Sequence, residues 1–347
     1  MNWSGWAVSN EPLPRIGDTT HMKRVVTRIL QALLILALLP FLVDIPLHAE
    51  AQPEELLASG AAPNAAVVTV DGRRTVVATT GDSGDPALIL IHGFGGSTFG
   101  WRHVLDSLAA SGWHVVALDL PGFGLAEKSW SGAYDHASQA RYVLALMDQM
   151  KIGEAVLAGH SMGGNVVSWV AALAPERVRG LALIDAAIAS PAVSRNSAAR
   201  TALSLPPLRR AARILIRSAF SEATFGELLG SAFAVKSAAT PETVRGYAAA
   251  SRLPEWDAAL LGIVRDAGSN SLPSPIAEIV GRAGAPIPTL ILWGAEDSWV
   301  PLSAGEALRD ALPAATYVVL PGLGHVPFEE DPAAFTGAIK IWLATLQ

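Results

Sequence analysis

Short apolar runs alternate with segments of helical period through most of this 347-residue chain. The runs are Val67–Val70, Arg74–Thr79, Ala87–Ile91, His114–Leu118, Ala155–Ala158, Gly180–Ile184, Thr289–Trp293 and Thr316–Leu320. Several are continuously apolar rather than alternating, the pattern of strands buried on both faces of a parallel sheet. Asp71-Gly72 separates the first two runs and predicts a hairpin, which adds an antiparallel edge. Helical patterns fall at Trp101–Ala110, His136–Met150, Met162–Ala174, Ser303–Leu312 and Pro332–Leu346. Alternation of this kind predicts an α/β fold: a doubly wound, mostly parallel sheet of eight strands.

The alternation fails between residues 187 and 285, where the chain is helix-prone, rich in alanine, arginine and proline, and without a clear strand. This stretch reads as a helical lid inserted into a core formed by residues 64–186 and 286–347. Residues 52–63, with Gly60 and two prolines, read as a linker. No internal repeat is present.

Upstream lies a targeting signal. Lys23, Arg24 and Arg28 precede Ile29–Val43, an apolar run interrupted only by Gln31 and Pro40. Ala49-Glu50-Ala51 then supplies the small-x-small pattern that signal peptidase reads. Residues 1–51 are therefore expected to be an N-terminal extension with either a signal peptide or a membrane anchor. Fifteen residues at ~1.5 Å each span ~22 Å, short of a ~30 Å hydrocarbon core, which favours cleavage. Both readings place the body of the protein outside the cytoplasm, in the periplasm or beyond.

Composition narrows the function. Apolar residues make up 51% of the chain and charged residues 16%, with a net charge of −6. That balance excludes a disordered chain and gives no basis for nucleic-acid binding. The absence of cysteine removes thiol nucleophiles, thiolate metal sites and disulfides.

Against that background Gly159-His160-Ser161-Met162-Gly163 stands out, because it lies between a predicted strand and a predicted helix. A serine with glycines two positions away on each side, at such a junction, matches a nucleophile elbow. A serine hydroxyl needs a general base, and the base needs an acid to fix its tautomer. Asp297 follows the seventh run and His325 the eighth, and parallel strands bring such loops to one sheet edge. Glu296 and Asp185 compete with Asp297 for the acid's role, and His325 competes with the structural role open to any of the eight histidines.

The chain thus resembles the α/β-hydrolase fold superfamily from about Val67 to Leu346. His92-Gly93-Phe94-Gly95, Asp119-Leu120-Pro121-Gly122-Phe123-Gly124, the elbow, and the two terminal loops including Gly324-His325-Val326-Pro327 carry the resemblance. It implies a catalytic triad of Ser161, Asp297 and His325, and an oxyanion hole from the backbone N–H groups of Phe94 and Met162. Gly159, Gly163, Gly93 and His92 take supporting roles, His92 by bracing the oxyanion loop, and Asp119 anchors the turn that follows it. His160 receives no proton-transfer role. No metal or organic cofactor is implied.

The expected activity is cleavage of small, lipophilic carboxylic esters through an acyl-enzyme. The alternatives are hydrolysis of a carbon–carbon bond in ring-cleavage products and a receptor-like protein that binds without turnover. Residues 187–285 carry 11 Lys/Arg and 7 Asp/Glu, and Arg209, Arg210, Arg213 and Arg217 share one side of a helical pattern opposite Leu208, Ala211 and Leu215. Such a face reads either as a solvated side of a packed helix or as a surface for anionic headgroups. The second reading makes the membrane surface a partner, through the insertion and the N-terminal segment.

Overall fold

The computed structural model describes residues 19–44, 50–60, 64–188, 197–281 and 286–347. Outside them lie the N-terminal extension through residue 18, the Ala49 end of the small-x-small pattern, and parts of the expected linker and insertion. The strands are β1 (Ala65–Val70), β2 (Arg73–Thr80), β3 (Ala87–Ile91), β4 (His114–Leu118), β5 (Ala155–His160), β6 (Val178–Ile184), β7 (Thr289–Gly294) and β8 (Thr316–Leu320). They form one sheet in the order β1-β2-β4-β3-β5-β6-β7-β8. β2 pairs antiparallel with β1 and with β4, and every other pairing is parallel.

Every residue of β3, β4, β5 and β7 is buried. Side chains alternate between two cores because strand residues point to opposite faces. Ile89, Ile91 and Leu157 join one apolar cluster, and Leu88, Leu90 and Val156 join the other. Full burial of such a side chain contributes about 1.5–3 kcal/mol, which explains the continuous apolar runs. Asp71 and Gly72 turn the β1–β2 hairpin, both at positive φ. One predicted helix divides: a short turn at Thr98–Trp101 is followed by a helix only at Leu105–Ala109. Arg102, in the break, turns inward to Glu329 at 2.5 Å.

Between β6 and β7 the described residues hold helices and no strand. The insertion's polarity is the reverse of what its pattern suggested. In the helix Pro206–Ala219, Leu208 and Leu215 are 48% and 68% exposed, while the arginines face protein. Arg209 lies 4.4 Å from the Trp130 ring, and Arg210 donates to the carbonyls of Pro40 and Val43. Arg213 and Arg217 both pair with the fully buried Asp257, at 2.6 and 2.9 Å. A buried carboxylate and two strand-free carbonyls demand donors, and arginine supplies them. The arginines therefore form neither a solvated face nor a headgroup surface.

The N-terminal segment also differs from expectation. The helix Thr19–Leu38 spends its first half on Lys23, Arg24 and Arg28, and Pro40 lies just beyond its end. No helix among the described residues is long and apolar enough to cross a membrane. The stretch expected to be a linker contains a helix, Pro53–Ala58. Its Leu56 is 2% exposed and packs with Val76 and Leu125 of the core and with Ala249 and Leu253 of the insertion. Leu56→Ala is expected to lower unfolding free energy by about 2–5 kcal/mol, as buried leucine truncations do. Chemical denaturation measures this; an unchanged midpoint would show that the segment is only a tether.

Candidate active site

The parallel strands deliver their carboxyl ends to one edge, where β3, β5, β7 and β8 release the loops that carry the predicted chemistry. β5 ends at His160 and a helix begins at Met162, which leaves Ser161 alone to turn the chain. Its φ of 51° and ψ of −119° are strained for a side-chain-bearing residue. Close packing holds the strain in place. The Ser161 N–H donates to the Ile184 carbonyl, and its own carbonyl accepts from Gly164 and Ala187. A Cβ at Gly163 would stand 2.5 Å from the Ile91 carbonyl oxygen, and one at Gly93 2.9 Å from Ser161 Cβ. A Cβ at Gly159 would strike the Gly163 carbonyl. Only glycine fits at these three positions.

His325 and Asp297 meet directly: His325 Nδ1 donates to Asp297 Oδ2 at 2.7 Å, with both side chains buried. Asp297 Oδ1 accepts from the N–H groups of Trp299 and Val300 at 2.8 and 2.9 Å. With Nδ1 so engaged, Nε2 is the nitrogen that can receive a proton. Among the described residues no hydrogen bond joins the Ser161 hydroxyl to His325, whose side-chain partner is Asp297. Catalytic contacts of this kind often close only when substrate is present. Of the competing acids, Glu296 makes no bond to the imidazole, while Asp185 lies beside Asp297 and accepts from the Gly294 N–H at 2.8 Å.

The remaining predicted residues frame this centre. The backbone N–H groups of Phe94 and Met162 have no partner among the described residues and are free to donate. The His92 ring spans the loop: Nδ1–H donates to the Gly93 carbonyl at 2.8 Å and Nε2 accepts from Leu120 N–H at 3.0 Å. Burial lowers its pKa, which keeps it in the neutral form that this pairing needs. Asp119 accepts from Thr98 and Leu125 N–H groups, both at 2.6 Å, and so fastens the loops after β3 and β4 together.

Three contributions were not read from the sequence. His160 is held well below its usual pKa by burial and stays neutral; its Nε2 donates to the His325 carbonyl at 2.6 Å. The Glu330 carboxylate accepts from Gly324 and Ala234 N–H groups at 2.8 Å each, and His325 N–H donates to the Ala232 carbonyl. The histidine loop is therefore tied to the insertion. Trp299 stacks on the His325 ring at 5.3 Å and donates its indole N–H to Ser231 Oγ. For His160 alone a signal existed, its place next to the nucleophile.

His160, Trp299 and His325 border a cavity of about 360 Å³, and Ser161 lies next to His160 just outside its lining. His92–Gly96 and His325 form its catalytic wall, and Phe225, Leu228, Leu229 and Tyr247 of the insertion form the opposite side. No lysine, arginine, aspartate or glutamate lines it among the described residues. Phe94, Leu228 and Trp299 are 51%, 57% and 41% exposed, so large apolar groups remain open to solvent around the cavity. The insertion is fixed to the core beneath it, where Arg102 joins buried Glu329 and also donates to Thr243.

Residues 86–332 match the sequence profile described as alpha/beta hydrolase fold. The chain is 32% identical over 271 residues to the dihydrolipoyllysine-residue acetyltransferase component of the acetoin cleaving system of Pseudomonas putida, covering 78% of this chain and 66% of that protein. It thus spans about two thirds of that relative's length. The uncharacterized hydrolase YugF of Bacillus subtilis is 27% identical, over 76% of this chain and 92% of its own. Among solved structures, a membrane phospholipase A, described as a bacterial virulence factor, aligns with TM-score 0.67 and 27% identity over 94% of this chain and 99% of its own. A meta-cleavage product hydrolase from Pseudomonas fluorescens shares the fold at TM-score 0.67 and 24% identity, over 81% and 98%. The expected architecture and resemblance hold, and the chain belongs to the alpha/beta hydrolase family.

Proposed function

We propose that this hydrolase cleaves neutral, lipophilic carboxylic esters by two-step acyl transfer. The Ser161 hydroxyl attacks the ester carbonyl as His325 Nε2 takes its proton, and Asp297 holds the imidazole in the required tautomer. The oxyanion accepts from the N–H groups of Phe94 and Met162, donors of a kind that together lower a barrier by several kcal/mol. The tetrahedral intermediate collapses as Nε2 returns the proton to the departing alcohol. Water, activated by the same nitrogen, then releases the acid.

The observation that carries the ester reading is the uncharged cavity lining. The dienoate substrates named for carbon–carbon hydrolases of this fold carry a carboxylate. Burying an anion with no cation or dense set of donors costs several kcal/mol, whereas a neutral acyl group gains from every apolar wall. The membrane phospholipase A neighbour supports a lipid-like ester. The measurement is turnover on p-nitrophenyl esters of graded chain length beside a ring-cleavage dienoate. Medium-chain esters should be hydrolysed with kcat/KM at least about 100-fold above the dienoate, the ~3 kcal/mol expected for an unpaired buried charge. Preference for the dienoate would overturn the reading.

The protein is further proposed to be exported and to keep its N-terminal segment at the membrane surface. Val25, Ile29, Leu33, Leu36 and Phe41 are all exposed, an apolar helix without a protein partner for most of its surface. Ala51, beside the expected cleavage point, is 3% exposed, and its N–H donates to the Arg252 carbonyl; Glu50 lies 4.0 Å from Arg217. These contacts favour retention over cleavage. Mass analysis of the mature protein should find the segment present in the membrane fraction. A soluble mature chain beginning at Gln52 would contradict it.

A further inference from the structure

The acyl-transfer steps leave Asp185 unused. It directly follows β6 at a φ of 43°, and its side chain is wholly buried. Oδ1 accepts the Gly294 N–H at 2.8 Å, but no donor reaches Oδ2. One carboxyl oxygen of Asp185, one of Asp297 and one nitrogen of His325 lie within 4.8 Å of one another. Asp297 has two backbone donors on one oxygen and the imidazole on the other. No lysine or arginine is bonded to either acid among the described residues.

Two ionised carboxylates this close, both excluded from water, repel strongly, and such a pair relieves the repulsion by holding one proton. The charged groups facing Asp185 add to the pressure: Asp297 from the loop after β7 and Glu330 from beyond β8, with His325 the counterion among the described residues and only when protonated. The proton belongs on the acid with fewer donors. On Asp185 Oδ2 it also converts an orphaned buried oxygen into a hydrogen-bond donor beside a neighbouring carboxylate.

We propose that Asp185 is a neutral carboxylic acid in the working enzyme and that its Oδ2–H donates to Asp297, making it a positioning residue for the triad. Burial drives the Asp185 carboxyl well above the usual carboxylate range; the Gly294 N–H opposes this and the charge of Asp297 reinforces it. The consequence is electrostatic. A second negative charge beside the imidazole would hold a proton on His325 and disable it as a base at neutral pH. The neutral acid instead gives Asp297 another hydrogen bond and leaves the triad with a single charge.

The inference rests on the serine-hydrolase reading of Ser161, Asp297 and His325, so its test avoids any choice of substrate. Phosphonylation by a fluorophosphonate probe is followed across pH in wild type, Asp185→Asn and Asp185→Ala. An amide at 185 reproduces both contacts, its carbonyl accepting from Gly294 and its N–H donating to Asp297. Asp185→Asn should therefore label within about threefold of wild type, with the acid limb of the profile unmoved. Asp185→Ala removes the donor, makes Asp297 more basic, and should slow labelling about tenfold or more while moving the acid limb to higher pH. Infrared spectra at neutral pH should show a protonated-carboxyl band in wild type that Asp185→Asn lacks. Asp185→Asn slowed as much as Asp185→Ala, an Asp185→Ala profile equal to wild type, or no band lost would each overturn the proposal. Should Asp185→Ala fail to fold, the amide variant and the infrared band decide alone. A wild type that does not label at all rejects the triad reading instead, and the band still reports on Asp185.

Discussion

The strained turn at Ser161 is the constraint on which the rest of the site depends. A residue with a side chain at φ 51° costs about 1–3 kcal/mol, and it persists only where its surroundings allow nothing else. Here β5 presses on the following helix through Gly159 and Gly163, and Ile184 and Ala187 grip both backbone groups of the serine. The turn places the hydroxyl beyond the sheet edge. It also leaves the first N–H of the helix, that of Met162, unpaired where an oxyanion can use it.

From that fixed point the other parts fall into place through backbone contacts rather than through the triad alone. His160 holds the carbonyl of His325, Ala232 holds its N–H, and Glu330 holds Gly324 and Ala234 together. The proposed base is therefore set by the strand that leads into Ser161 and by the insertion that walls the cavity. The insertion is in this sense part of the scaffold of the proposed triad. Its second attachment runs from Thr243 to Arg102 of the core, which also pairs with Glu329. Burial raises the pKa of Glu329, with Arg102 opposing it, so the contact pairs a desolvated acid with a guanidinium.

Much of this was legible in the residues. All eight strands were predicted because burial on both faces leaves an unbroken apolar run such as Ala87–Ile91, and the elbow announced itself by glycine spacing at a strand–helix junction. The chain order Ser161, Asp297, His325 is the one the resemblance implies, on loops that parallel strands release at one sheet edge. What stayed hidden depends on contacts far apart in sequence. The helix Pro53–Ala58 is short and alanine-flanked, and only packing against Leu253 and Val76 orders it. In Pro206–Ala219 the sequence displayed two faces but not which one turned inward; Asp257, 44 residues from Arg213, decided that. The pairing of His160 with His325 spans 165 residues and has no local signature.

The central claim is that Ser161 becomes covalently acylated through His325. Its most direct test is mass spectrometry of protein quenched during turnover of a slowly deacylated ester. An acyl adduct is expected on the peptide containing Ser161 and is expected to be absent from His325→Ala. Sustained ester turnover with no adduct, or with the acyl group carried on another residue, would contradict it.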